Sequence, residues 1–252
     1  MVTTASARHI ERINSFFSAL LFTQVTDMAG SSLFSLLLPV VVVAFASSFA
    51  AVARAGDGSL TAGFTRVPLK ESQFVVQKPY DVSLADRYEF AGGVRRMWVF
   101  ATDKPTSATH PGGARTEIKI NIEIYTSGVW QFEGDMYVPA GTSGASVMQV
   151  FGAAAHATTL MLHVYGGNLT YYHDLSRVVA AGVYGRWVRL NVVHDVAAAT
   201  VAVFADGERR LSAAGQGGTA HYFKFGVYKQ SHHDPSHRME SRWKNVAVYT
   251  KR

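Results

Sequence analysis

Between Arg115 and Ile124 polar and apolar residues alternate without a break. Ile118, Ile120, Ile122 and Ile124 take one side; Arg115, Glu117, Lys119, Asn121 and Glu123 take the other. A period of two belongs to a pleated strand and not to a helix, so the segment reads as a ten-residue strand with one buried face. The pattern returns from Tyr222 to Gln230. There Phe223, Phe225 and Val227 form an apolar floor, and Tyr222, Lys224, Gly226, Tyr228 and Gln230 lie opposite. A solvated outer face accounts for the polar side unless other strands bring polar groups to the same place. A third stretch, Val147 to Phe151, has Gln149 as its only polar residue. Its amide needs a partner, because leaving one buried and unpaired costs about 1–3 kcal/mol.

From Phe64 onward the chain keeps to short strands and tight turns. Strands are expected at 64–69, 74–78, 88–90, 97–100, 128–138, 159–165, 169–173, 187–194, 200–205 and 246–249. Gly92-Gly93, Pro139 to Gly144, Gly166-Gly-Asn168 and Asp206-Gly207 mark turns, while Ser212 to Gly218 and Ser231 to His237 read as loops. Outside the N-terminal segment no amphipathic helical stretch stands out. The expectation is an all-β chain, a β-sandwich or jelly roll of two antiparallel sheets forming one domain over residues 56–252.

Residues 1–55 are set apart by the almost wholly apolar run from Leu33 to Val52. About 20 such residues span a bilayer as a helix. The small-x-small sequence Ala53-Arg54-Ala55 follows directly, which favours a signal peptide, Met28 to Ala55, over a retained membrane anchor. Residues 1–27 then form an upstream extension. The chain has no cysteine, so its core must suffice without disulfides. A net charge of +6 suits an anionic ligand, whereas the lack of a Lys/Arg cluster or recognition helix argues against nucleic acid.

Arg115-Thr-Glu-Ile-Lys, Gln149-Val-Phe and Tyr222-Phe-Lys-Phe-Gly-Val-Tyr-Lys-Gln230 resemble, in order, the three signature strands of the alginate-lyase-like polysaccharide lyases, families seven and twenty. Within that superfamily the chain is most similar to plant citrate-binding proteins, a branch near the glucuronan lyases. That likeness extends through Ser127 to Gly134, His156 to Leu162, Leu190 to Asp195, Gly217 to Tyr222 and Met239 to Lys244, and covers roughly residues 64–250. The resemblance implies a jelly roll whose concave groove binds acidic sugars or carboxylates; with the signal peptide, the expectation is a chain entering the secretory pathway and residing in the cell wall, extracellular space or vacuole.

Breaking a polyuronate by β-elimination requires neutralising a carboxylate, removing the adjacent C5 proton and protonating the leaving oxygen. The resemblance implies Arg115 and Gln149 as carboxylate holders, Tyr228 as the proton-transfer residue and Glu117 as the group orienting the guanidinium. Where the alginate lyases carry Gln-x-His, this chain has Phe151. The usual base is therefore missing, and His163 on a neighbouring strand is the geometric alternative. A binding protein needs no base. In that reading Arg115, Glu117, Gln149, Lys224, Tyr228 and Gln230 line a site for citrate or an acidic polysaccharide. A third reading makes Tyr165, Tyr171 and Tyr172 a stacking surface for wall glycans, against ordinary sheet packing. His232, His233, Asp234 and His237 fit no standard metal spacing and read as a solvated loop. No cofactor is expected, and a membrane partner only if residues 33–52 are retained as an anchor.

Overall fold

The computed structural model describes residues 60–251 except 110, 111, 153–157 and 234. The apolar run Leu33 to Val52 and its cleavage sequence lie outside the described residues, as do His156 and Asp234. Strands are numbered along the chain. One sheet has eight: β1 (Thr65–Val67), β3 (Tyr88–Ala91), β4 (Val94–Phe100), β6 (Val129–Tyr137), β11 (Trp187–Asp195), β12 (Thr200–Ala205), β13 (Glu208–Ala214) and β15 (Arg238–Lys251). Their order is β13-β12-β11-β6-β15-β4-β3, with β1 paired to β15. The other has seven: β2 (Phe74–Gln77), β5 (Arg115–Ile120), β7 (Ala145–Gly152), β8 (Leu160–Tyr165), β9 (Asn168–Tyr171), β10 (Asp174–Ala180) and β14 (His221–Lys229), in the order β10-β9-β8-β7-β14-β5-β2. Neighbouring strands run antiparallel throughout, as in the expected sandwich of two sheets.

The core lies between the sheets, where alternation sends the apolar side chains. Phe132 on β6, Phe223 and Phe225 on β14 and Trp243 on β15 are fully buried. Their ring centroids stand 5.4–5.9 Å apart, tying the central strands of one sheet to β14 of the other. Burying a large apolar side chain contributes about 1.5–3 kcal/mol, so this contact is a principal source of cohesion.

Three expectations need correction. The strand read as 115–124 ends at Ile120. The Asn121 amide donates to the Gln73 carbonyl and the chain leaves the sheet, so Ile124 is exposed and Tyr125 enters the core instead. Strands β10 and β13 are not among the expected strands, and the loop expected at Ser212 to Gly218 overlaps the end of β13. Both are sheet edges, where one flank has no neighbour and the pattern fades. Finally, β15 runs from Arg238 to Lys251, not over 246–249 alone. A register shift between Lys244 and Ala247, with Asn245 at φ 55°, breaks its alternation midway.

β14 carries a bulge of its own. Against β5 it pairs without interruption, but against β7 the register shifts between Phe225 and Tyr228. Gly226 has φ 139°, and a Cβ there would lie 2.5 Å from the Thr116 carbonyl oxygen and 2.9 Å from Met97 Sδ. Only glycine fits. The position therefore does not join the polar face on which alternation had placed it, but the bulge leaves Tyr228 on that face.

Candidate functional site

The outer face of the seven-stranded sheet collects the polar residues of β5, β14 and β7. Lys224 pairs with Lys119 on one side and Gln149 on the other; Tyr228 pairs with Arg115 and with Ser146. Register alone thus brings residues over a hundred positions apart to adjacent places.

Their side chains converge on Glu117, which is fully buried. Lys224 Nζ donates to Glu117 Oε2 at 2.8 Å, Gln149 Nε2 donates to Oε1, and the Arg115 guanidinium stands 3.7 Å from Oε2. The amide that needed a partner has found one. Arg115 also lies 3.7 Å from the centroid of the Tyr228 ring, a cation–π contact that attaches Tyr228 to the cluster. Burial pushes the Lys224 ammonium below its ordinary range, while Glu117 pulls it back up. Burial likewise raises the Tyr222 phenol, helped by the Glu117 charge. With Lys119 the cluster sets three cations against the one carboxylate of Glu117.

Phe151 stacks on Tyr222 at 4.5 Å with the rings 14° from parallel, and Lys119 Nζ covers the same Tyr222 at 4.4 Å. An apolar ring locked in a stack therefore occupies the place where a base was to be sought. His163 does not replace it. It faces Ser146, which in turn faces Tyr228. That sets the backbone of His163 two strand spacings, or about 10 Å, from the backbone of Tyr228. Its Nδ1 pairs with the Tyr165 hydroxyl at 3.1 Å, and burial lowers its pKa to about 3, which keeps the ring neutral.

Gln230 stands apart from the Glu117 cluster. Its Nε2 donates to the Tyr228 carbonyl, and its side chain lines a cavity of about 530 Å³ together with Met161, His163, Tyr171, Tyr172 and Gln216. Met161 pairs with Gln149, so the cavity adjoins the cluster across β7 and β8. Two buried polar atoms in this region lack hydrogen-bond partners: Ser146 Oγ and His163 Nε2. Nothing local in the sequence marks Ser146, and its place between Tyr228 and His163 depends wholly on register. Tyr171 and Tyr172 face the cavity, whereas Tyr165 is buried against His163. His232 stacks on His173 at 4.2 Å, and among the described residues no group of side chains is arranged to hold a metal.

A family model described as Alginate lyase matches residues 67–250. The chain is 50% identical over 189 residues to the citrate-binding protein of Hevea brasiliensis, covering 75% of this chain and 78% of that one. Among solved structures, the alginate lyase from Corynebacterium sp. superposes with a TM-score of 0.54 at 15% identity, over 73% of this chain and 92% of the other. The family 7 alginate lyase A1-II' in complex with product GGG gives 0.55 at 14% identity, over 71% and 95%. At such identities the structural likeness speaks to the fold alone, a jelly roll.

Proposed function

The chain belongs to the alginate lyase family, and from that premise we propose that the outer face of its seven-stranded sheet binds a carboxylate ligand, citrate or an acidic saccharide, without turning it over. The observation that carries this reading is the arrangement around Glu117. Arg115, Lys119 and Lys224 outnumber the one carboxylate they surround, and the adjoining cavity is lined mainly by amides, phenols and imidazoles, with Asp174 as its one carboxylate. A ligand carboxylate beside Lys119 and Arg115 would gain charge-assisted bonds. A ligand hydroxyl reaching Ser146 Oγ or His163 Nε2 would satisfy an atom that now has no partner. The Hevea relative is named for citrate, which supports the same ligand class. Phe151 in its stack with Tyr222 supports binding over catalysis, because among the described residues no general base stands beside Tyr228.

A second reading keeps Tyr228 as both base and acid of a β-elimination. The Arg115 guanidinium against its ring favours that reading, since it fixes the phenol beside the group that would hold the substrate carboxylate. Two measurements decide. Titration calorimetry with citrate is expected to show binding that Arg115→Ala weakens at least tenfold; an unchanged affinity would overturn the binding reading. Incubation with polyglucuronate and with alginate is expected to yield no ultraviolet-absorbing unsaturated product. Appearance of that product would select the lyase.

A further inference from the structure

The opposite side of the sandwich carries a second arrangement of charge. Register places Arg96 of β4, Arg242 of β15, Tyr137 of β6 and Trp187 of β11 in one row across four strands. At about 4.8 Å per strand the row is roughly 14 Å long. Beside it the Glu240 carboxylate is buried, with 3% of its side chain exposed, beneath Arg96, Arg238 and Arg242, which are 35%, 41% and 37% exposed. Arg96 grips it with two bonds of 2.9 and 3.1 Å, Arg242 donates at 2.8 Å and Arg238 stands 2.6 Å away. One sunken carboxylate thus holds three guanidinium groups in a fixed fan, and their remaining N–H donors face solvent.

Each aromatic ring of the strip has a cation against it. Trp98 lies between Arg96 and Arg238, at 5.3 and 5.6 Å from its ring centre. Arg242 covers Tyr137 at 5.1 Å and Lys244 covers Trp187 at 4.3 Å. The carboxylates nearest the strip's margins are Glu89, 3.6 Å from Arg96, and Asp135, bonded to Asn245. The exposed centre is cationic and aromatic.

We propose that this strip on the eight-stranded sheet is a second binding surface, distinct from the Glu117 site, for a linear acidic polysaccharide. The pairing of ring with cation is the argument. Such a polymer repeats a flat apolar ring face joined to one carboxylate or sulfate, and the strip sets cations against rings three times, Arg96 and Arg238 at Trp98, Arg242 at Tyr137 and Lys244 at Trp187. A duplex nucleic acid would call for an element that enters a groove, and this surface is a sheet without one. A membrane would call for a cluster of exposed apolar side chains, and of the strip's aromatic residues only Trp187 is among the exposed large hydrophobics.

The test is retardation of the purified protein in native gels containing polygalacturonate, with dextran as neutral control. Arg238→Gln/Arg242→Gln keeps both Arg96 bonds to Glu240, so the buried carboxylate stays paired. It is expected to weaken retardation at least tenfold, and Trp98→Ala about threefold. Lys244→Gln and Trp98→Ala remove no side-chain bond to Glu240 and carry the test should the double variant fail to fold. Arg115→Ala is expected to leave the strip's share of retardation in place. Loss of all retardation in Arg115→Ala with none in the strip variants would put the polymer at the Glu117 site and overturn the proposal. Full retention by Trp98→Ala would reduce the effect to bare charge and also overturn it. So would tighter binding to duplex DNA or to phosphatidylserine vesicles at the same ionic strength.

Discussion

Both faces of the sandwich are built around one buried carboxylate serving several cations, yet they differ in where the cations end. Around Glu117 the partners are buried too: Arg115 and Lys224 side chains are 9% and 4% exposed. Around Glu240 the arginines run out to solvent. Water can replace Glu240 for its arginines, but it cannot easily reach Arg115 and Lys224. The same ion-pair chemistry therefore holds a framework on one face and displays donors on the other.

Backbone strain gives the widest contrast. Gly226→Ala would push a methyl against the Thr116 carbonyl at an unfavourable φ, and is expected to cost about 4 kcal/mol or more in urea denaturation. Asn245→Ala, at the bulge of the other sheet with φ 55°, is expected to cost about 1–2 kcal/mol. Equal losses would mean that β14 relaxes freely and that the Glu117 site is not tied to its bulge.

Removing the carboxylates tests the comparison directly. Glu117→Ala strands two buried cations and is expected to lower stability by about 3–5 kcal/mol at pH 7. Glu240→Ala frees arginines that already touch water and is expected to cost no more than about 2 kcal/mol. Matching losses would erase the distinction drawn here.

Acid should act through histidines buried in the core and under the Glu117 face. Burial holds His163 at about 3 and His194 at about 4, and lowers His221 as well. Each is depressed below its unfolded value of about 6.5, so the unfolded chain binds more protons once pH drops below that value. Stability is then present at neutral pH and is lost as pH falls from about 6.5 towards 4. His163→Gln is expected to recover about 2 kcal/mol of that loss by pH 5, read as a smaller shift of the urea midpoint between pH 7 and pH 5. A shift as large as that of the unaltered protein would remove His163 from this account. At the small end, Lys244→Gln on the strip is expected to change stability by no more than about 0.5 kcal/mol.

Much of the fold was legible because alternation is a local signal. β6, β7, β11, β12 and the inward faces of β5 and β14 follow the apolar period, and Gly166-Gly-Asn168 turns where its composition says. Edge strands β10 and β13 escaped notice because half-exposed strands have no face to advertise. β15 was misjudged because its bulge at Asn245 shifts the apolar positions. In the Glu117 site the types and faces of Arg115, Glu117, Gln149, Lys224 and Tyr228 could be read from the sequence. The displacement of Gln230 into the cavity and the part played by Ser146 could not. The Glu240 fan was invisible, since Arg96 and Glu240 are 144 positions apart and neither stands out locally.

The amino-acid sequence by itself determined that this chain makes sheets with one apolar side, because side-chain direction along a strand depends on parity alone. It also set which charges would stand on the outward sides. Only the tertiary structure decided which of those charges meet, because strand order and register link residues that share no local signal. It decided, too, which cations would be sealed in and which would reach water, since burial depends on whatever the neighbouring strands place overhead.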